Sequence, residues 1–157
     1  MTTISSLRRL SPQQLHNLLL DQQQSQSQSQ SQSQPQTQPT PRSLAIIDVR
    51  DDDHIGGHIR TSTHVPSLSL DARMPELLRS LRGVDKVVFH CSLSQQRGPG
   101  AALGYLRERV EGKGDGKEDG KEQEVFVLDG GFVKWQELYG EDEKVTEGWV
   151  RDIWRDE

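Results

Sequence analysis

One cysteine, and an arginine six positions after it, carry most of the chemistry that this 157-residue chain can offer. In the stretch VVFHCSLSQQRGPGAA, residues 87–102, Cys91 follows a β-branched run and Arg97 precedes a Gly-Pro-Gly helix start. A thiol attacks as its thiolate, and a helix N-terminus beside a guanidinium favours that form. The planar fork of Arg97 matches two oxygens of a phosphoryl group. The residues between them, Ser92, Leu93, Ser94, Gln95 and Gln96, carry no charge. An oxyanion would therefore be held by backbone N–H groups curled into a nest from Ser92 to Arg97, by Arg97 itself, and by the hydroxyls of Ser92 or Ser94. The opposing reading makes Cys91 a packing residue, since free cysteine is among the most buried types. The strand-like run before it and the helix start after the arginine weigh against that.

Three apolar runs have to position these residues. LAIIDVR (44–50), KVVFH (86–90) and VFVLDGG (125–131) each read as a strand buried on both faces. Between them, MPELLRSLRG has helical spacing of Met74, Leu77, Leu78 and Leu81 and a stop at Gly83, and GPGAALGYLRERV places Ala102, Leu106 and Val110 a turn apart. Strands alternating with helices predict a single α/β domain, a mostly parallel central sheet flanked by helices on both faces. In such sheets ligands bind beyond the carboxyl ends of the strands, where Cys91 would sit. Upstream, Ser11 reads as an N-cap, Pro12 as the first helical residue and Gln14 as the partner in a capping box, with Leu15, Leu18 and Leu19 on one face. Two stretches, Gln22–Pro41 and Glu111–Glu124, have no apolar period and are expected to be disordered insertions, the first a Gln/Ser/Pro tract and the second a run of mixed charge.

The net charge of −5 and the absence of a basic stripe exclude nucleic acid as an expected partner. The opening residues lack the apolar core of a signal peptide, and no apolar run approaches the roughly 18 residues of a membrane span. A lone cysteine can form no internal disulfide. These features predict a cytoplasmic protein without a membrane partner and leave entry into the nucleus open.

Two motifs and a weaker third resemble the rhodanese-like superfamily, in the branch of the M-phase inducer phosphatases and the small fungal and plant phosphatase and arsenate reductase proteins. HCSLSQQRGP (90–99) is similar to that branch's His-Cys-x5-Arg-Gly-Pro loop, IIDVRDDDHIGGHIRTSTHVPS (46–67) to its Asp-x-Arg and Gly-His-Ile segment, and VLDGGFVKW (127–135) to the Gly-Gly-Phe-x-x-Trp run after the last strand. The resemblance implies that Cys91 is the nucleophile and that Arg97 binds phosphate. Sulfurtransferases of the superfamily have a six-residue loop, whereas Cys91 to Arg97 makes seven. It therefore implies a protein tyrosine or dual-specificity type of phosphatase acting through a phosphocysteine, on a phosphorylated protein or a small phosphoester, with no cofactor. Sulfur transfer is disfavoured.

Where that branch commonly has acidic residues, after the Cys and before the Arg, this chain has Ser92 and Gln96. A proton for the leaving oxygen would have to come from an acid of RDDDH or from the substrate. Arsenate reduction is the alternative activity; without a second cysteine it would need external glutathione or glutaredoxin. A third reading is a module that binds phosphorylated partners without turnover. The resemblance gives Asp48 the task of holding the loop architecture and Arg50 that of pairing nearby. His90 is expected to help set the thiolate and His58 to be a hydrogen-bonded structural histidine. His54, His58 and His64 lack the spacing of a metal site, and none is expected. Trp135, Tyr139, Trp149 and Trp154 read as packing residues.

Overall fold

The computed structural model describes residues 7–31, 44–111, 117–118 and 121–154. Five parallel strands form the central sheet in the order β1 (Arg8–Leu10), β8 (Glu124–Leu128), β5 (Lys86–His90), β2 (Leu44–Asp48) and β4 (Thr63–His64). The three apolar runs become the central strands β2, β5 and β8. Alternation divides their side chains between two cores. Ile47, Val87, Phe89, Val125 and Val127 pack under α2 (Leu70–Ser80) and α3 (Arg97–Glu111), with Met74, Leu77, Ala102 and Tyr105. Ile46, Val88, Phe126 and Leu128 pack under α1 (Pro12–Ser31) and α4 (Gly131–Tyr139), with Leu15, Leu19, Phe132 and Trp135. Burying each large apolar side chain contributes about 1.5–3 kcal/mol, so strands covered on both faces must be apolar throughout.

Helix α1 begins as its sequence predicts. The Ser11 N–H donates to Gln14 Oε1 (2.9 Å) and the Gln14 N–H to Ser11 Oγ (3.1 Å), closing a capping box. It does not end at Asp21, however: the backbone stays helical to Ser31, through the first half of the tract read as a disordered loop. Glutamine is a good helix former and Pro35 is the first breaker, so a helix nucleated on buried Leu15 and Leu19 propagates into the polar repeat. The rest of that expected loop, residues 32–41, lies outside the described residues.

The second expected insertion is also more ordered than its composition predicts. Lys117–Glu118 (β6) pairs antiparallel with Lys121–Glu122 (β7), and strand β8 already begins at Glu124; residues 112–116 and 119–120 lie outside the described residues. Gln123, between the hairpin and the strand, is buried. Its Nε2 donates to the carbonyls of Leu81 (2.8 Å) and Val84 (2.9 Å), and its Oε1 accepts from Tyr105 Oη (2.6 Å) and Arg109 Nη1 (3.1 Å). Three other boundaries move. β2 and β8 stop at Asp48 and Leu128 rather than at residues 50 and 131, and α2 starts at Leu70, with Pro75 inside it.

A small antiparallel pair, β3 (His58–Ile59) with β9 (Thr146–Glu147), ties the C-terminal region to the loop after β2. The aromatic residues there do pack: Trp135 is fully buried and donates to Thr146 Oγ1 (2.9 Å), Trp149 Nε1 donates to Gln136 Oε1 (3.1 Å), and Trp154 Nε1 donates to the Gly56 carbonyl (2.9 Å). Among the described residues no helix is long and apolar enough to cross a membrane.

Gln123→Leu strands the Val84 carbonyl and the buried Tyr105 hydroxyl without polar partners, while the Leu81 carbonyl keeps the Val84 N–H (3.2 Å). Stability in urea denaturation is expected to fall by about 2–4 kcal/mol, each orphaned group costing about 1–3.

Candidate active site

The carboxyl ends of β2 and β5 converge on the residues singled out above. Cys91 follows β5 directly and lies at the base of the loop that leads into α3, with 3% of its surface exposed. Its Sγ accepts two backbone N–H groups, from Ser94 (3.2 Å) and Gly98 (3.4 Å). The amides aimed at sulfur are thus one inside the expected cradle and one just beyond it. To turn its N–H inward, Ser94 takes a left-handed conformation (φ 56°), which a non-glycine residue adopts at a cost. Two N–H donors and the start of α3 place positive potential at the sulfur. Leu93, Gln95 and Gln96 of the same loop are exposed.

The back of the loop is held by α4. Phe132 N–H donates to the Cys91 carbonyl (3.0 Å) and Val133 N–H to the Ser92 carbonyl (2.9 Å), so the first turn of one helix caps the loop that opens another. Gly131 must be glycine for that contact. Its φ is 63°, and a Cβ there would run into the Ser92 carbonyl.

Beneath the loop lies a buried ionic network. Arg50 and Asp48 are both fully buried. Arg50 Nε donates to both Asp48 oxygens (3.0 and 3.1 Å) and Nη2 to Oδ2 (2.7 Å). Nη2 also reaches the Gly57 carbonyl (2.8 Å), and the guanidinium lies 4.3 Å from the centre of the Phe132 ring. Burial works against charge on Asp48, but His90 and the Arg50 hydrogen bonds outweigh it and hold the carboxyl below its ordinary range. His90 is fully buried with Nδ1 3.1 Å from the Cys91 carbonyl, and burial lowers its pKa. Its Nδ1–H donates to that carbonyl, and its Nε2 lies 3.8 Å from Asp48 Oδ2.

Two carboxylates complete the site. Arg97 donates from Nη1 and Nη2 to the two oxygens of Asp53 (2.8 and 2.5 Å), and Nη1 lies 3.3 Å from Asp51 Oδ2. Ser92 Oγ donates to Asp53 Oδ2 (2.5 Å). The Arg97 fork, aided by the Ser92 hydroxyl, holds the Asp53 carboxyl far below the ordinary carboxylate range, and Asp53 in turn raises Arg97 further above its own. Asp51 is held low first by the Ser67 hydroxyl (2.5 Å), and it also accepts the Leu68 N–H (3.0 Å).

The structure therefore brings Cys91, Ser92, Ser94 and Arg97 together over His90, Asp48 and Arg50. His58 stands apart: it is hydrogen-bonded as expected, but to Glu147 across the β3–β9 pair (3.3 Å). Asp53 and Asp51 were not individually legible, though the acid cluster of RDDDH was the signal. His54 and His64 stack at 3.8 Å, and His64 Nε2 lies 2.5 Å from the Arg50 carbonyl, so they buttress the same loop. Among the described residues no group of three or more His, Cys, Asp or Glu is arranged to hold a metal ion.

A parallel sheet ending in a Cys-x5-Arg loop at a helix start defines a rhodanese-like domain of the long-loop type. A family model, the Rhodanese-like domain, matches residues 20–138, and the chain belongs to that family. It is 42% identical over 121 residues, 70% of this chain and 77% of the relative, to the CDC25-like phosphatase YCH1 of Saccharomyces cerevisiae. It is 39% identical to Arsenate reductase 2.2 of Oryza sativa subsp. japonica, over 59% of this chain and 69% of that one. Among solved structures, a yeast protein tyrosine phosphatase of the rhodanese family superposes with TM-score 0.67 at 33% identity, covering 99% of this chain and all of that one.

Gly131→Ala should destabilise the domain by about 1–3 kcal/mol through backbone strain and the collision with the loop. Gly100→Ala, in open space on α3, should by contrast be neutral or stabilising by up to about 1 kcal/mol. Comparing urea midpoints of the two variants checks both. Asp48→Asn leaves Arg50 buried without its counter-charge and should cost about 3–5 kcal/mol at neutral pH. Because the folded pKa of Asp48 lies below its unfolded value of about 3.9, the stabilisation is complete above that value and is lost as pH falls through the folded one. Denaturation curves from pH 7 to pH 3 should therefore show the gap between wild type and variant narrowing on acidification.

Proposed function

We propose that this chain is a cysteine-dependent phosphatase of the protein tyrosine or dual-specificity type. Cys91 attacks phosphorus, backbone amides of its loop receive the phosphoryl oxygens and Arg97 spreads their charge in the transition state. The observation that carries the reading is the sulfur at the focus of two inward N–H groups, on a seven-residue loop from Cys91 to Arg97. The relatives named as phosphatases support it. Its substrates are a phosphorylated protein or a small phosphoester, and it needs no cofactor.

Arsenate reduction is a second reading, supported by the relative named as an arsenate reductase. Arsenate has the shape and charge of phosphate and fits the same cradle. Cys91 is the chain's one cysteine, so a thiol from outside, glutathione or glutaredoxin, must take over the arsenic.

The test is hydrolysis of an aryl phosphate by wild type and Cys91→Ser. Turnover falling at least about 10³-fold in the variant, with tungstate binding retained, supports the phosphatase. Oxyanion binding without turnover by wild type, even for good leaving groups, points to a binding module. Arsenate consumption that depends on added glutathione and exceeds phosphate release moves the second reading ahead.

A further inference from the structure

We propose that Asp53 is the proton donor to the leaving oxygen, an acid supplied from the β2–β3 loop instead of the Cys91 loop; this rests on the phosphatase reading above. Three observations place it there. Its two oxygens face the two terminal nitrogens of Arg97, which are the donors a phosphoryl group would take. Its Oδ2 also touches Ser92 Oγ, on the loop residue directly after the nucleophile. The positions where an acid could stand within the loop itself hold Ser92 and Gln96, and neither can supply a proton of carboxylic strength.

In the resting site Asp53 is a carboxylate because Arg97 faces it. A phosphoryl dianion seated in the loop competes for that fork. Once Arg97 turns to the oxyanion, Asp53 has lost its counter-charge and gained a like-charged neighbour, and both changes favour its protonated form. The charged groups that face it are Arg97 from the start of α3 and Asp51 from its own loop, whose backbone N–H also donates to Asp53 Oδ1 (2.9 Å). Asp51 cannot take the role as readily. Each carboxylate keeps one hydroxyl and one backbone N–H when Arg97 moves: Ser92 Oγ and the Asp51 N–H on Asp53, Ser67 Oγ and the Leu68 N–H on Asp51. But only Asp53 has both oxygens on the Arg97 fork and so loses most of its counter-charge, whereas Asp51 meets Nη1 alone at 3.3 Å.

The step balances. As the Cys91 sulfur forms its bond to phosphorus, the bond from phosphorus to the leaving oxygen breaks, and that oxygen keeps the electron pair and takes the Asp53 proton. Asp53 is left as a carboxylate and then takes a proton from the water that attacks the phosphocysteine, whose sulfur departs as thiolate. Phosphate leaves with the water's oxygen, and Asp53 is again the acid.

Two measurements test this. In the first, a series of aryl phosphates is hydrolysed by wild type, Asp53→Asn, Asp51→Asn and Cys91→Ser. An acid matters most where the leaving oxygen is most basic. Asp53→Asn should lose about 10²–10³-fold on phenyl phosphate and only about threefold on a dinitrophenyl ester, steepening the dependence on leaving-group pKa. Asp51→Asn should keep the wild-type slope. Equal losses on both esters in Asp53→Asn, with Cys91→Ser inactive, overturn the assignment of Asp53 and leave the phosphatase standing. Full activity in Cys91→Ser overturns the phosphatase itself. In the second, sulfate is titrated calorimetrically into Cys91→Ser and into Cys91→Ser with Asp53→Asn, in two buffers of different ionisation heat. Uptake of about one proton per sulfate in the first protein and none in the second is expected. The same uptake in both, or none in either, overturns the inference without reference to turnover.

Discussion

A guanidinium with no exposed surface has to be matched from every side, and Arg50 is that group in this fold. Its partners are the Asp48 carboxylate at the end of β2, the carbonyls of Ile55 and Gly57 in the following loop, and the face of Phe132 at the start of α4. Leaving any of them out would strand a buried charge, which costs several kcal/mol. The ion pair is thus less a source of net stability than a constraint. Only one path of the β2–β3 loop and one position of α4 satisfy it.

Both consequences reach the sulfur. The path of the β2–β3 loop fixes where Asp51 and Asp53 stand, and those carboxylates meet Arg97 and Ser92. The position of α4 fixes the amides of Phe132 and Val133, which hold the carbonyls of Cys91 and Ser92. With its carbonyls turned outward, the loop can turn N–H groups inward, and those of Ser94 and Gly98 reach Sγ. A local feature, two amides aimed at one sulfur, therefore depends on an ion pair beneath it that never touches it.

What the sequence made legible follows from how each element is held. The central strands announce themselves because burial on both faces demands unbroken apolar runs, and Cys91 and Arg97 stand out because their loop joins such a run to a glycine-rich helix start. β1 left no trace: Arg8 and Arg9 are exposed, Leu10 alone is buried, and three residues make no pattern. The two-residue strands β3, β4 and β9 are shorter than any period. Gln123 reads as part of a polar run because its partners, the carbonyls of Leu81 and Val84, lie about forty positions away. The helical half of the Gln/Ser tract was hidden for another reason. Lack of apolar residues forbids packing but not a helix that has already been nucleated and capped upstream. Asp53 meets Arg97 across 44 positions, a contact set by the route of the loop that Arg50 organises and not by any local spacing.

Two carboxylates at a site for anions look self-defeating, since at an effective dielectric of about 20 two like charges 4 Å apart repel by about 4 kcal/mol. Their partners differ in a way that resolves this. Asp51 is balanced by fixed donors of the neighbouring turn, Ser67 and the Leu68 N–H, and braces that turn whatever occupies the loop. Asp53 has one such fixed donor, the Asp51 N–H, and is otherwise balanced by Arg97 and Ser92, which belong to the Cys91 loop itself. Holding a guanidinium in one orientation costs up to about 2 kcal/mol of side-chain entropy, and here a carboxylate has already imposed that order. An arriving anion then exchanges one acceptor for another instead of ordering a free arginine. On the phosphatase reading, such an exchange favours a ligand that offers the fork more negative charge than a single carboxylate, so the contact that occupies Arg97 at rest would favour dianions over monoanions.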